Sequence, residues 1–217
     1  MPQRPKEEVR RAIIDAAVEI FSKVGLERAT LGEIAQRAGT SVGNVYKYFK
    51  SKDEIFFAAI PPEFTAQFAD KIRMQVEALG EQRDATELEA DHPYRRASDT
   101  LLRFSFEHRS RIIFLLRHTN GTAHGSFSEK LVRQLVKLAE HYAEIAYPDL
   151  VMSQAEKRSL TRTYRAFIMN LATILEEEKS ERAFREAVRL LTVYHLSGLR
   201  TFFQASIHKP SQHRRRR

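Results

Sequence analysis

At 217 residues, with no cysteine and a formal net charge of +8, the chain has no means of forming disulfides, thiolate metal sites or a cysteine nucleophile. A hydrophobic content of 42% suffices for a packed core and excludes a disordered chain. No apolar run approaches bilayer length and the opening MPQRPKEEVRR lacks the apolar core of a signal peptide, so a cytoplasmic setting is expected.

The charge favours a polyanion or an acidic membrane surface as partner. Lys209 and Arg214 to Arg217 carry five of the positive charges, however, so the body is only mildly basic. Residues 1–8 are polar with two prolines. Arg4, Lys6, Arg10 and Arg11 can reach phosphates beside a main site, or can belong to a frayed, solvated end. A first helix follows, with Val9, Ile13, Ala16, Ala17, Ile20, Phe21 and Val24 as its apolar stripe and Gly25 as its stop.

The stretch from Thr30 to Lys52, TLGEIAQRAGTSVGNVYKYFKSK, reads as two short helices, a tight turn and the cap of a third. Thr30 and Glu33 form a capping box, so a helix starts at Leu31 with Ile34, Ala35 and Ala38 on one face. Gly39 supplies a left-handed end, and Ser41 caps the next helix. That helix is expected to bury Val42, Val45, part of Tyr46 and Phe49, leaving Gly43, Asn44 and Lys47 outside, with Tyr48 near the boundary. Ser51 and Glu54 make a further capping box.

A helix-turn-helix with a polar, basic outer face is a DNA-binding pattern, its second helix entering the major groove. Thr40, Ser41, Gly43 and Asn44 then stand nearest the base edges. Gly43 permits close backbone approach at a helix cost of roughly 1 kcal/mol against Ala, and Asn44 suits an adenine edge. Tyr46, Lys47, Tyr48 and Lys52 end in hydroxyl or ammonium groups suited to phosphate. The same spacing also fits a helical hairpin in any all-α core with its lysines merely solvated.

From Arg10 to about Ile60 the chain resembles the N-terminal domain of the TetR family of bacterial transcriptional regulators. IIDAAVEIFSKVGLERAT and LGEIAQRAGTSVGNVYKYFKSKDEIF, in that order and spacing, carry the resemblance, which covers about a quarter of the chain. It implies an all-α protein: an N-terminal three-helix helix-turn-helix DNA-binding domain and a C-terminal helical ligand-binding and dimerisation bundle. It implies DNA contacts from Thr30, Thr40, Ser41, Gly43, Asn44, Tyr46, Lys47, Tyr48 and Lys52. It also implies a homodimer on a palindromic operator, a small-molecule inducer and no cofactor. The expected domains are 1–55, extending to about 66 with the start of a connecting helix, then 56–208, then a basic disordered tail over 209–217.

A fourth helix starts at Ser51, and Pro61 and Pro62 interrupt it. The helical pattern resumes through Phe64, Phe68, Ile72, Val76 and Leu79, so the connecting helix is expected to be kinked or broken. Gly80 to Pro93 is a charged loop. Helical periodicity returns from Tyr94 to His108. RIIFLLRHT could pass for a strand but has no pairing partner, and a buried helix fits better. After the turn-rich TNGTAHGS, a helix over about Ser128 to Ala146 puts Leu131, Leu135, Leu138, Tyr142 and Ile145 on one face, and Pro148 ends it.

Two long helices close the chain, over about Ser153 to Lys179 and Glu181 to His208. Their apolar residues spread beyond a narrow stripe, and Gly198 permits close approach of another helix, so a partner helix pair is expected; a monomeric core is the alternative. The family resemblance points to the same four-helix interface. Within the bundle, Phe64, Phe68, Phe104, Phe114, Leu115, Tyr164, Phe167 and Ile168 are candidates to line an inducer pocket. His108, His118 and Asn170 are its candidate polar anchors. Core packing is the competing reading for every one of them. Arg103, Arg109, Arg111 and Arg117 would favour an acidic ligand if they faced inward, but are expected mostly to face water.

The sequence carries no glycine-rich phosphate loop, no GxSxG and no HExxH, and its eight histidines lack the close pairing of a helical metal site. The expected function is a sequence-specific transcriptional regulator, a repressor released by a small molecule, and no enzyme. The alternative is a nonspecific or architectural DNA binder in which the head and the arginine tail act without an inducer.

Overall fold

The computed structural model describes residues 6–80, 82, 88–89, 91–119 and 122–207. Arg4, His208 and the arginine tail therefore lie outside the described residues, as does part of the Gly80–Pro93 loop. The described residues form ten helices and no strand: α1 Lys6–Arg28, α2 Leu31–Ala38, α3 Val42–Val45, α4 Lys52–Ala59, α5 Pro62–Glu77, α6 Pro93–Glu107, α7 Arg109–Arg117, α8 Phe127–Ala146, α9 Gln154–Glu177 and α10 Glu181–Ile207. An N-terminal helix-turn-helix domain leads into a C-terminal helical bundle.

Helices α1 to α4 form the head. Ile13, Ala17, Phe21, Ile34, Val45, Ile55 and Phe56 pack with almost no exposure, so the apolar stripe of α1 works as expected. Gly25 sits at φ 81°, ψ 170°, breaking the helix before a last turn to Arg28. In α3 the burial differs from the expected face. Val45 and Phe49 are buried, but Val42 is 37% and Tyr46 55% exposed, and Tyr48 packs against the core instead. The helical run is only four residues long and gives way to a turn at Tyr46, so helical spacing no longer sets which side chain turns inward.

The connecting helix is broken, as the two prolines require. α4 ends at Ala59, Ile60 leaves helical geometry at φ −134°, and Pro61 at ψ 154° caps α5. Carbonyls left open by this break are answered from the body: Arg111 Nε donates to Ala59 O at 2.7 Å, and His124 Nε2 lies 2.7 Å from Ile60 O. The break is thus pinned rather than loose.

Helix α7 is the pin. Ile112, Ile113, Phe114, Leu115 and Leu116 are all buried, which a helix achieves only when other elements surround it. Phe114 meets Phe21 of α1 at 6.1 Å and Phe56 of α4 at 5.6 Å between ring centroids. Its arginines correct the solvent-facing expectation. Arg109 donates to Leu175 O and Glu178 O, closing the end of α9. Arg117 bonds Thr173 Oγ1 and pairs with Glu176. Arg103 alone of the four behaves as a surface arginine, paired with Asp99 on its own helix.

Around α7, helices α8, α9 and α10 complete the bundle. Ser153 and Glu156 form a reciprocal capping box at the start of α9. On α8 the buried face runs through Leu131, Leu135, Ala139, Ala143 and Ala146, while Ile145 is 43% exposed. Beyond Leu135 the fully buried positions pass to these alanines rather than to Leu138, Tyr142 and Ile145.

One continuous core therefore crosses from head to body through Phe21, Phe56 and Phe114. Phe114→Ala is expected to lower unfolding free energy by about 3–5 kcal/mol in urea titrations, the usual loss for a fully buried phenylalanine.

Candidate nucleic-acid interface and ligand cavity

The α2–α3 hairpin is built by caps. Thr30 Oγ1 accepts from Glu33 N at 3.2 Å, and Glu33 Oε2 accepts from Thr30 N at 2.9 Å. Thr30 Oγ1 also donates to Glu33 Oε2 at 2.7 Å, and this bond, with that from Thr30 N, holds the Glu33 carboxyl below its ordinary range. Gly39 at φ 68°, ψ 38° ends α2 in the left-handed conformation, and Thr40 N donates to Ala35 O. Ser41 Oγ accepts from Asn44 N at 3.2 Å and starts α3. Ser51 Oγ accepts from Glu54 N, but the Glu54 carboxylate turns to Lys50 N at 2.6 Å, so the expected third capping box is only half made.

The nine residues expected at DNA fall into three groups. Gly43, Tyr46 and Lys47 are exposed, and the Tyr46 and Lys47 side chains make no hydrogen bond among the described residues. Beyond its chain neighbours and its own helix backbone, no atom of the described residues lies within 4 Å of where a Cβ on Gly43 would sit, and its φ is not positive. Neither crowding nor backbone strain inside the chain asks for glycine there. Thr30, Thr40, Ser41 and Asn44 are engaged locally. Asn44 Nδ2 donates to Thr40 Oγ1 at 2.7 Å, which fixes the amide while leaving its second N–H and its oxygen able to pair outward. Tyr48 and Lys52 are turned toward the protein. Lys52 Nζ donates to Glu27 O at 3.1 Å and Ala29 O at 2.9 Å, so it clamps the α1–α2 connection, a role that helical spacing could not reveal. Arg10 lies over the Phe49 ring at 5.3 Å, which brings one of the N-terminal arginines beside this face.

The model for the bacterial regulatory proteins of the tetR family matches residues 13–59, the segment that builds this head. This head resembles that of the TetR family. Over 70 residues it is 37% identical to the HTH-type transcriptional regulator BetI of Escherichia coli and of Klebsiella pneumoniae, an alignment covering 32% of this chain and 35% of those proteins. The matched segment thus spans about a third of the length of these curated relatives. Across the whole chain it is similar to a transcriptional regulator from Aquifex aeolicus VF5, at 18% identity and TM-score 0.48, covering 90% of this chain and 99% of that one. It is also similar to a TetR-like regulator from Rhodococcus sp. RHA1, at 22% identity and TM-score 0.43, covering 96% and 100%.

In the body, α5, α6, α8, α9 and α10 enclose a cavity of about 380 Å³. Of the expected lining, Phe68, Tyr164, Phe167 and Ile168 are there. Phe64 and Phe104 stack at 5.4 Å with His108 against them, forming an aromatic cluster that is not part of the cavity wall. Phe114 and Leu115 belong to the α7 core, because that helix is buried between head and body rather than beside the cavity. His118 faces α1, lying over Gly25 and bonding the Ser22 backbone. Asn170 is exposed on the outer side of α9. None of the three expected anchors reaches the cavity.

The imidazole that does stand in the cavity wall, and that sequence reading did not put among the polar candidates, is His195 on α10. It stands in an otherwise apolar stripe with Phe184, Val188, Leu199 and Phe203, and that one polar ring was the available signal. Its ring lies 4.3 Å from Phe167 and 4.9 Å from Tyr164 between centroids, and its Nε2 is buried without a hydrogen-bond partner among the described residues. Burial lowers its pKa to about 4 and raises that of the Tyr164 hydroxyl. Both groups are neutral at pH 7.

Because folding depresses the His195 pKa from 6.5 to about 4, the unfolded chain binds the extra proton first as pH falls. Stability is therefore kept above pH 6.5 and lost between 6.5 and 4. Burial lowers the pKa of His108 and His118 too, adding in the same direction. Urea titrations at pH 7 and 4.5 are expected to show a loss that is smaller in His195→Phe by on the order of 2 kcal/mol.

Proposed function

We propose that the chain is a homodimeric, sequence-specific DNA-binding repressor whose two heads are released from a palindromic operator by a small ligand in the body. In this reading residues 1–55 act as the DNA-binding unit and 56–208 as the regulatory and dimerising unit. The observation that carries the DNA assignment is the open face of α3. Gly43 is a helix-disfavouring residue with free space over it and Lys47 is an exposed ammonium beside it. A glycine that nothing inside the chain requires is suited to close approach by something outside it. Base edges flank such a backbone in a major groove, and the exposed lysine meets phosphate.

Dimerisation is supported by the outer face of α9 and α10, where Met169, Leu190, Val193 and Tyr194 are exposed, Tyr194 at 81%. Beyond its chain neighbours and its own helix backbone, no atom of the described residues lies within 4 Å of a Cβ position on Gly198. Two copies pairing there would cover this apolar face and set two heads on a two-fold axis. Release follows as a population shift. The cavity touches α5, whose start is the pinned break at Pro61. A ligand that favours one position of α5 biases the set of that break and with it the spacing of the heads.

Selection of bound sites from random duplex DNA by the full-length protein is expected to recover a palindrome. Tight, salt-sensitive binding with no recovered motif would instead indicate a nonspecific binder. Gly43→Ala is expected to leave stability unchanged or raised by up to about 1 kcal/mol, while weakening operator binding. Lys47→Ala is expected to lower the salt slope of binding by about one. Lys52→Ala is expected to cost about 1–2 kcal/mol in urea titrations through its carbonyl bonds, with a smaller change in salt slope.

A further inference from the structure

The cavity differs from ordinary core in holding one polar atom that nothing satisfies. His195 Nε2 is buried with no partner among the described residues, and buried polar groups in folded proteins are nearly always paired. The ring around that nitrogen is held in place, edge to face with Tyr164 and inclined over Phe167. A neutral imidazole exchanges hydrogen bonds with a hydroxyl in either direction, whichever tautomer it adopts. The aromatic walls offer flat surfaces to a flat molecule.

Charge narrows the ligand further. Among the described residues lining the cavity there is no carboxylate, and the only permanently charged one, Arg200, is exposed on α10 and already engaged in an interaction. A carboxylate or ammonium brought inside would be stripped of water without a free counter-charge, which is costly. The volume, about 380 Å³, lies at the lower end of the range for small-molecule sites.

We propose that this cavity binds an uncharged, flat, largely apolar molecule bearing one hydroxyl-type group, with His195 Nε2 as the hydrogen-bond anchor that selects it. The inference rests on the ligand-responsive reading above and names the chemistry of its ligand. The anchor acts on affinity and selectivity. The apolar walls supply the bulk of the binding and do not distinguish a hydroxyl from a methyl group.

The test uses three naphthalenes of one shape: neutral 2-naphthol, neutral 2-methylnaphthalene and anionic 2-naphthoate. Each displaces the fluorescent amine N-phenyl-1-naphthylamine from the full-length protein near neutral pH, without DNA. The expected result is that 2-naphthol binds several-fold to about tenfold tighter than 2-methylnaphthalene, the range open to one net hydrogen bond, and that 2-naphthoate binds weakest. In His195→Phe the preference for the hydroxyl should fall to about one while 2-methylnaphthalene still binds, and His195→Gln should restore part of it.

Equal affinity for the two neutral compounds, absence of any displacement, or tightest binding of the anion would each overturn the proposal. The wild-type ranking decides the matter even if a variant fails to fold. Measuring DNA affinity with saturating 2-naphthol separates the two levels of inference. Preferred binding that leaves DNA affinity unchanged refutes ligand-driven release and leaves the site standing. A palindrome recovered by a protein that shows no hydroxyl preference leaves the regulator standing and removes the site.

Discussion

The fold depends on the burial of α7 between two sets of helices. Five consecutive apolar residues, Ile112 to Leu116, cannot hide against one neighbour. They hide because α1 and α4 cover one side and α8 and α9 the other. Phe114 is where the two meet, in ring contact with both Phe21 and Phe56. Packing of this density responds to displacement as a unit. The helix also answers carbonyls that its neighbours leave open, through Arg109 at the end of α9 and Arg111 at the end of α4. Apolar burial and hydrogen bonding thus act at the same junction.

That junction bears on how a signal could cross the molecule. The Pro61–Pro62 break rules out a single rigid lever from body to head. In its place stand a short helix, α4, and a longer one, α5, with the carbonyls between them held by Arg111 and His124. A side-chain bond to a carbonyl can be exchanged at modest cost when a neighbouring helix moves, whereas an intrahelical ladder cannot. The cavity adjoins α5 directly and α7 through α8 and α9, so the body meets the head both at the pinned break and through the packing of α7 on α1.

Local rules read the head well. The Thr30–Glu33 box, the left-handed Gly39 and the Ser41 cap all lie within four residues of their partners, and each formed as the spacing predicts. Prediction weakened wherever the partner is distant in sequence. Lys52 has the spacing of a phosphate contact, yet its ammonium bonds carbonyls of Glu27 and Ala29. Tyr46 and Tyr48 exchange places because α3 is too short for helical periodicity to govern its last residues. The arginines of α7 look like solvent-facing charges, yet Arg109 and Arg111 close the ends of α9 and α4, and Arg117 bonds the Thr173 hydroxyl and pairs with Glu176 on α9.

The sequence by itself determined that the chain is helical, where the head's helices begin and end, that two prolines break the connecting helix, and that the N-terminal segment has a DNA-binding pattern. Caps, glycine stops, proline breaks and apolar spacing act over a turn or two, and are written in consecutive residues. Only the tertiary structure decided which aromatic residues enclose a cavity and which merely fill the core. Phe64, Phe104 and Phe114 have the same helical spacing as Phe68 and Phe167, and the difference lies in how five helices cross. It also decided that His195, and none of His108, His118 or Asn170, has its polar atom in the cavity wall. Burial and the lack of a partner are properties of everything packed around a side chain, and no local pattern records them.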